Sequence, residues 1–214
     1  SFEDGFCHEP IMETYERYMS SKFFTDCFGS EKDLFTRRRL LSPRVLAPLT
    51  KEQAEKCGFV PYNEDLQINW TKGKSYIDGK EVLIPTDIVY YGFKKEKRIY
   101  AGHSSGISAH FDYEKAIENG LAEIIERDAI MKSWYEHVVP NKISSNVLSN
   151  HVLKRRNYWL EQGRELFVLD MKSDYAPTIM VAIKSDTYPC FVCGSSTTLD
   201  NDIVFTLPEG WAED

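Results

Sequence analysis

Residues 119–128 read NGLAEIIERD and place three carboxylates and one arginine around a pair of adjacent isoleucines. They lie inside the most regular helical pattern of the chain, which runs from about Asp112 to His137. Asp112 is a suitable N-cap, and Glu114 adds an acid to the first turn. The sequence therefore predicts a long and highly charged helix.

Residues three or four positions apart share one side of a helix. One arc of about 100° holds the polar side chains Asn119, Glu123, Glu126 and Arg127. The opposite side holds the apolar side chains Ile117, Leu121, Ile124 and Ile125. Asp128 falls in the apolar arc, and we expect it to be a structural acid tied to a local donor, because buried charges are usually partnered.

The same E-x-x-E-R spacing occurs in METYERYM, residues 12–19. We expect a first helix from about Glu9 to Ser21, with Pro10 in the favoured first turn. Its polar side would carry Glu9, Glu13, Glu16 and Arg17. Its apolar side would carry Ile11, Met12, Tyr15, Tyr18 and Met19. Each helix therefore offers carboxylates and a guanidinium on a common polar surface.

Either helix alone is typical of a solvated surface with weak i,i+4 ion pairs. If the two faced each other, four carboxylates would converge, and a cation would have to neutralise their repulsion. Mg²⁺ prefers such oxygen ligands and usually arrives with phosphate oxygens, which arginine also binds well. A di-iron site would call for Glu-x-x-His, which neither motif contains. Without a Walker P-loop, an ATP site would need another design.

The first half of the chain reads as helices followed by hairpins. Residues 31–60 predict short helices and loops. LQINW, SYI and EVLIP predict strands separated by the turns TKGK and DGK, with Asp78-Gly79 a strong hairpin signal. DIVYYGF and KRIYAG are expected to continue the strands. The turn AGHSSGISAH (101–110) either supplies backbone N–H groups and hydroxyls to phosphate or is an ordinary loop.

The second half adds a helix near residues 148–162, with Trp159 and Leu160 on its apolar side. The strands ELFVLDM, TIMVAIKSD and CFVCGSS follow. Interleaved helices and strands without a low-complexity linker predict one mixed domain of the α+β or α/β kind.

Composition excludes several classes of protein. A net charge of −7 argues against a nucleic-acid-binding surface, and no apolar run reaches the length of a membrane span. Five scattered cysteines suit a reducing, cytoplasmic location. Cys190 and Cys193 have the spacing of zinc ligands, but without a second pair we interpret them as strand residues. His8 is expected to be a core or edge histidine.

Four stretches in order resemble the YcaO family. METYERYMS (12–20) is similar to its first E-x-x-E-R helix, and INWTKGKSYIDGKEVLIPTDIVYY (68–91) to the segment that follows. AGHSSGISAHFDYEKAIENGLAEIIERDAIMKSWYEH (101–137) resembles its second motif, and APTIMVAIKSD (176–186) the strand after it. The ordered set is specific, whereas a single E-x-x-E-R would not be.

The resemblance implies a YcaO-like α+β fold with mixed or antiparallel sheets and helices, in two related halves around a nucleotide cleft. We expect residues 1–214 to form a single domain of this kind, incomplete at one or both ends. The resemblance also implies a protein that uses ATP and Mg²⁺. Carried over by position, the magnesium and nucleotide contacts would be Glu13, Glu16, Glu123 and Glu126. Arg127 would contact phosphate, and Ser108 and Asn119 would line the site. No catalytic residue is assigned.

The implied activity is ATP-dependent activation of peptide backbone amides. Its main form is cyclodehydration of Cys, Ser or Thr to azolines in a ribosomally made precursor peptide. Thioamide or amidine formation is an alternative, as is a non-catalytic nucleotide-binding scaffold subunit of a peptide-modifying complex. The expected partners are the precursor peptide and an E1-like protein that binds its leader, with neither nucleic acid nor membrane. Which product forms stays open at this point.

Overall fold

The computed structural model describes residues 8–91, 98–187 and 191–199. The chain divides into two compact units, Ser1–Ala109 and His110–Asp214. Each unit combines helices with an antiparallel sheet, three-stranded in the first unit and four-stranded in the second. The predicted α+β class with helices and antiparallel sheets is therefore confirmed. The single domain over 1–214, and its two related halves around a nucleotide cleft, stay predictions.

The first unit contains a sheet of order β1-β2-β3 with antiparallel pairing throughout. Its described elements, in chain order, are α1 (His8–Ser20), β1 (Cys27–Gly29), α2 (Glu31–Phe35), α3 (Pro43–Leu46), α4 (Lys51–Lys56), β2 (Ile68–Lys74), β3 (Glu81–Pro85) and α5 (Thr86–Val89). The first helix lies where the sequence predicted it, from about Glu9 to Ser21.

Helices α2, α3 and α4 each begin after a hydroxyl residue. The side chains of Ser30, Ser42 and Thr50 accept hydrogen bonds from backbone N–H groups of the following turn. Such caps satisfy donors that a helix start leaves without partners. This explains why residues 31–60 form short helices and loops, as predicted.

Strands β2 and β3 form a hairpin. Gly79 has a φ of 68° in its turn, a conformation that glycine adopts readily, so Asp78-Gly79 is confirmed as the hairpin signal. TKGK (71–74), predicted as a separate turn, lies inside β2. Exposed Lys72 and Lys74 alternate there with more buried neighbours, which is the two-residue period of a strand.

The segment after β3 is helical where the sequence predicted a strand. DIVYYGF (87–93) begins within α5, and residues 98–102 of the predicted strand KRIYAG form no strand either. The buried Asp87 gives the reason, because its Oδ2 accepts a hydrogen bond from Ile99 N at 3.0 Å. A buried carboxylate needs such a donor, so a side chain takes the backbone N–H that a sheet would have used.

Trp70 lies at the centre of the first unit's core and is fully buried. Its Nε1 donates a hydrogen bond to the Gly29 carbonyl at 3.0 Å, which joins β2 to β1. Buried Ile68, Leu83 and Ile99 complete the cluster. The core therefore ties the three strands to the segment that follows α5.

The second unit contains a sheet of order β4-β5-β6-β7, again antiparallel throughout. Its described elements are α6 (Tyr113–Tyr135), β4 (Asn141–Lys142), a 3₁₀ helix (Ser145–Val147), α7 (Asn150–Glu161), β5 (Arg164–Asp170), β6 (Thr178–Ser185) and β7 (Phe191–Thr197). The two long helices and the last three strands lie where the sequence predicted them.

The four-stranded sheet has a helix on each face. One face packs on α7 through the buried residues Leu148, Val152, Trp159, Leu166 and Val168, with Ile179, Val181 and Ile183 of β6 beside them. Strand side chains alternate, so the buried Ala182 of β6 belongs to the opposite face. Helix α6 contacts β6 and β7 and therefore covers that second face.

One predicted core position of α7 is wrong. Trp159 is buried, but Leu160 is 63% exposed. The two residues are adjacent and point about 100° apart on the helix, so a single sheet face cannot cover both.

No helix among the described residues is long and apolar enough to cross a membrane. Cys193 lies exposed on β7, in agreement with its assignment to a strand. Cys190 falls outside the described residues, and so does the side chain of His8.

Candidate functional site

Helix α6 carries the second E-x-x-E-R motif. It starts after Asp112, whose Oδ1 accepts a hydrogen bond from Lys115 N at 3.1 Å, as the sequence predicted. Its buried positions are Gly120, Ile125 and Ala129. Ile125 and Ala129 lie one turn apart on one side of the helix, whereas Gly120 lies on the opposite side from Ala129.

The buried side of α6 coincides only in part with the predicted apolar arc. Leu121 is 47% exposed and Ile124 is 50% exposed, although both were placed among the apolar side chains. Ile125 of that arc is buried, together with Ala129 one turn later, and Glu126 next to Ile125 is partly buried. Hydrophobic spacing therefore located part of the buried side, at Ile125, but not the exposure of Leu121 and Ile124.

Glu126 is joined to the sheet by a hydrogen bond. Ser195 Oγ on β7 donates to Glu126 Oε1 at 2.7 Å. Burial raises the pKa of the Glu126 carboxyl, and the neighbouring Glu123 charge adds to this. The Ser195 hydrogen bond and the Arg127 charge act in the opposite direction, without cancelling the effect of burial. Glu126 is thus a carboxylate in surroundings that disfavour its charge.

Glu123 and Arg127 form the i,i+4 ion pair that their spacing predicted. Arg127 Nη2 lies 3.7 Å from Glu123 Oε1, and the Arg127 side chain is 54% exposed. An ion pair this long and exposed contributes little to stability. The Arg127 guanidinium therefore lies near the carboxylates of the motif on α6 but remains exposed.

Asp128 has a charged partner on its own helix. Its Oδ2 lies 2.9 Å from Lys132 Nζ, which is also 3.2 Å from Asp174 Oδ2 on the β5–β6 connection. The two carboxylates raise the pKa of Lys132. Asp128 is only partly buried, and its partner is an ion-pairing lysine, in keeping with the predicted structural role.

Helix α1 carries the first E-x-x-E-R motif, in the other unit. Arg17 Nη2 lies 3.6 Å from Glu13 Oε1, and both side chains are about half exposed or more. Glu16 is partly buried. On the predicted apolar side, Tyr15 and Tyr18 are 55% and 57% exposed. The side chain of Glu9 lies outside the described residues.

The Ser/Gly turn ahead of α6 has a defined backbone. Ile107 N donates to Ser104 O at 2.9 Å, and Gly106 has a φ of 81°. Ser108 is partly buried beside it. Gly102 enters the turn where an added Cβ would lie 2.6 Å from Tyr90 O, so only glycine fits there without a backbone shift.

The structure brings Glu123, Glu126 and Arg127 together on α6, with the exposed Asn119 one turn earlier. Glu13, Glu16 and Ser108 belong to the first unit. In the part of the chain that the structure describes, no group of three or more His, Cys, Asp or Glu side chains is arranged to hold a metal. The oxygen chemistry nevertheless fits Mg²⁺, which commonly uses one or two protein carboxylates and takes its other ligands from phosphate and water.

Ser195 is the residue that the sequence did not reveal. It lies 69 positions beyond Glu126 and belongs to no recognised motif. The signal for it would have been the alternation of β7, which puts Cys193, Ser195 and Thr197 on one face of an otherwise apolar sheet.

Comparison with known proteins assigns the chain to a family. The model of the YcaO cyclodehydratase family, described as ATP- and Mg²⁺-binding, matches residues 10–205. The chain belongs to the YcaO family, as its motifs indicated.

Similar solved structures support the same fold. A heterocyclase in complex with substrate and cofactor has a TM-score of 0.77 at 22% identity, over 89% of this chain and 28% of that one. YcaO from Methanopyrus kandleri, bound with AMPPCP and Mg²⁺, has a TM-score of 0.62 at 16% identity, over 87% and 45%. The E. coli microcin synthetase McbBCD complex gives 0.65 at 15% identity, over 88% and 49%.

A curated relative is an uncharacterized protein of Methanothermobacter thermautotrophicus. It is 23% identical over 208 residues, which cover 90% of this chain and 49% of the relative. The chain therefore spans about half the length of this relative, and less than half of the solved structures it resembles.

Proposed function

We propose that this protein takes part in ATP-dependent activation of peptide backbone amides. The main form would be cyclodehydration of Cys, Ser or Thr in a ribosomally made precursor peptide. The family match over residues 10–205 carries the proposal. The arrangement on α6 supports it, because two carboxylates and a guanidinium occupy successive turns there.

In this proposal the acids of both E-x-x-E-R motifs bind the magnesium ion and nucleotide: Glu13, Glu16, Glu123 and Glu126. Arg127 binds a phosphate oxygen, a role that suits its planar, permanently charged guanidinium. Ser108 and Asn119 line the nucleotide site. ATP supplies the phosphoryl group that turns an amide oxygen into a leaving phosphate.

The two carboxylates of the motif on α6 are of the kind that binds a divalent cation. Glu123 and Glu126 lie one turn apart, and the Glu123 charge adds to burial in raising the pKa of Glu126. A bound divalent cation would reverse this, because it favours the charged form of both. Arg127 is too exposed and too distant from Glu123 to neutralise the pair on its own.

We also propose two partners. One is the precursor peptide, and the other is an E1-like protein that binds its leader. Support comes from similar solved structures that contain a substrate or form a multi-protein synthetase complex.

Calorimetric titration with Mg·ATP tests the binding site. We expect wild type to bind, and Glu123→Gln to bind about 10- to 100-fold more weakly, because a hydrogen bond or ligand to a charged group contributes about 1.5–3 kcal/mol. Glu118→Gln is the matched control, since Glu118 lies on the same helix in an exposed ion pair with Lys115. Equal ATP affinities for all three proteins would contradict the assignment of Glu123 to the binding site.

Mass spectrometry of a precursor peptide tests the activity. The peptide is incubated with this protein, ATP, Mg²⁺ and the E1-like partner. Loss of one water per ring indicates azoline formation, whereas exchange of one oxygen for sulfur indicates a thioamide. An unmodified peptide despite measurable ATP binding would support the scaffold role instead.

A further inference from the structure

The hydrogen bond between Ser195 and Glu126 joins two elements that are distant in sequence. Ser195 Oγ lies 2.7 Å from Glu126 Oε1, and both residues are partly buried. Helix α6 contacts β7 over this region. The Glu126 carboxylate is therefore held by a residue outside its own helix.

The strand register shows that Ser195 is aimed at α6 specifically. Ser195 pairs with Met180 on β6, two positions from the buried Ala182 on the same face. Ser196 pairs with Ile179, which packs on the α7 side. Adjacent serines thus point to opposite faces, and only the first meets α6.

This pair is poorly explained by stability alone. Placing a carboxylate in this partly buried position carries a desolvation cost, and a neutral hydroxyl compensates for that cost less well than a cation would. Apolar side chains at both positions would pack the helix against the sheet without this cost. What the hydrogen bond does provide is a fixed orientation of the carboxylate plane.

We propose that Ser195 is a positioning residue for the magnesium–nucleotide site. Its hydroxyl holds Oε1 of Glu126, so Oε2 is presented to the cation in a single orientation. This inference rests on the proposed function, and it adds a strand residue outside the motifs to the residues that shape the site. Ser195 itself contacts neither the metal nor the nucleotide.

Two pairs of variants isolate the hydroxyl. Ser195→Thr and Ser195→Val have nearly equal size and both suit a strand, but only threonine keeps the donor. Ser195→Ala and Ser196→Ala remove the same atom from opposite faces of β7. The Thr/Val pair decides the question even if Ser195→Ala fails to fold.

The measurement is ATP affinity by calorimetry across a range of Mg²⁺ concentrations and in EDTA. We expect Ser195→Val and Ser195→Ala to need about fivefold to tenfold more Mg²⁺ for half-maximal ATP binding, the effect of one hydrogen bond to a charged group. Affinity in EDTA should be unchanged, and Ser195→Thr and Ser196→Ala should match wild type. A merely structural role would alter both conditions alike.

Two other outcomes have separate meanings. Wild type that does not bind Mg·ATP would overturn the proposed function and this inference with it. Wild type that binds, with Ser195→Val equal to Ser195→Thr, would overturn the positioning role and leave the proposed function standing.

Discussion

At the scale of single residues, Glu126 is a carboxylate whose surroundings disfavour its charge. It is partly buried, hydrogen-bonded to a neutral serine and adjacent to a second carboxylate. Burial and the Glu123 charge raise its pKa in the folded protein above the usual 4.5, and the serine hydrogen bond offsets only part of this. The folded state therefore holds the proton more tightly than the unfolded state does.

This predicts a pH-dependent stability for Glu126→Gln in metal-free buffer. Wild type gains stability from protonated Glu126 at low pH and loses it as pH rises through the raised pKa. The variant lacks this titration, so its stability relative to wild type should increase from about pH 4 toward neutrality. Urea unfolding of both proteins at several pH values measures the difference. A constant difference would show that Glu126 is not perturbed by burial.

At the scale of elements, the segment from α5 to the Ser/Gly turn depends on close backbone approach. A Cβ on Gly102 would lie 2.6 Å from Tyr90 O and 3.0 Å from Asp87 O. Both neighbours are backbone atoms, so neither can move aside by a simple change of rotamer.

Gly102→Ala should therefore destabilise the protein by about 2–3 kcal/mol, the cost of overpacking. Gly58→Ala is the matched control, because nothing lies within 4 Å of its added Cβ and only its φ of 74° is strained. That strain should cost about 1–2 kcal/mol. Chemical denaturation of both variants gives the comparison, and a Gly102→Ala loss no larger than that of Gly58→Ala would contradict the steric explanation.

Most elements were predictable from local pattern, and the exceptions have physical causes. The cap and the polar side of the long helix predicted that helix, and apolar runs predicted the last three strands. The strand predicted at KRIYAG is absent from residues 98–102, where the buried Asp87 accepts a hydrogen bond from the Ile99 N–H. That contact, like Ser195 with Glu126, depends on tertiary structure, which sequence periodicity does not encode.

At the scale of the whole molecule, the proposed ligand should stabilise the folded chain. A ligand at 100 times its Kd adds about 2.7 kcal/mol by mass action. For a chain of this size that corresponds to about 5–10 °C in Tm.

We therefore expect saturating ATP with Mg²⁺ to raise Tm by about 5–10 °C, and EDTA to remove most of the increase. Circular dichroism melting curves measure it. At the same ATP concentration, Glu123→Gln should show no more than about half of this increase, whereas Glu118→Gln should respond like wild type. An increase that survives EDTA would mean that ATP binds without the metal.

The buried tryptophans give each unit its own optical reporter. Trp70 is enclosed in the first unit and Trp159 in the second, while Trp134 is 74% exposed. Fluorescence of Trp70 or Trp159 should shift to the red when its own unit unfolds. Variants that keep only Trp70 or only Trp159 of the four tryptophans therefore separate the melting of residues 1–109 from that of residues 110–214. Coincident transitions would mark one cooperative folding unit, and separate transitions would mark two.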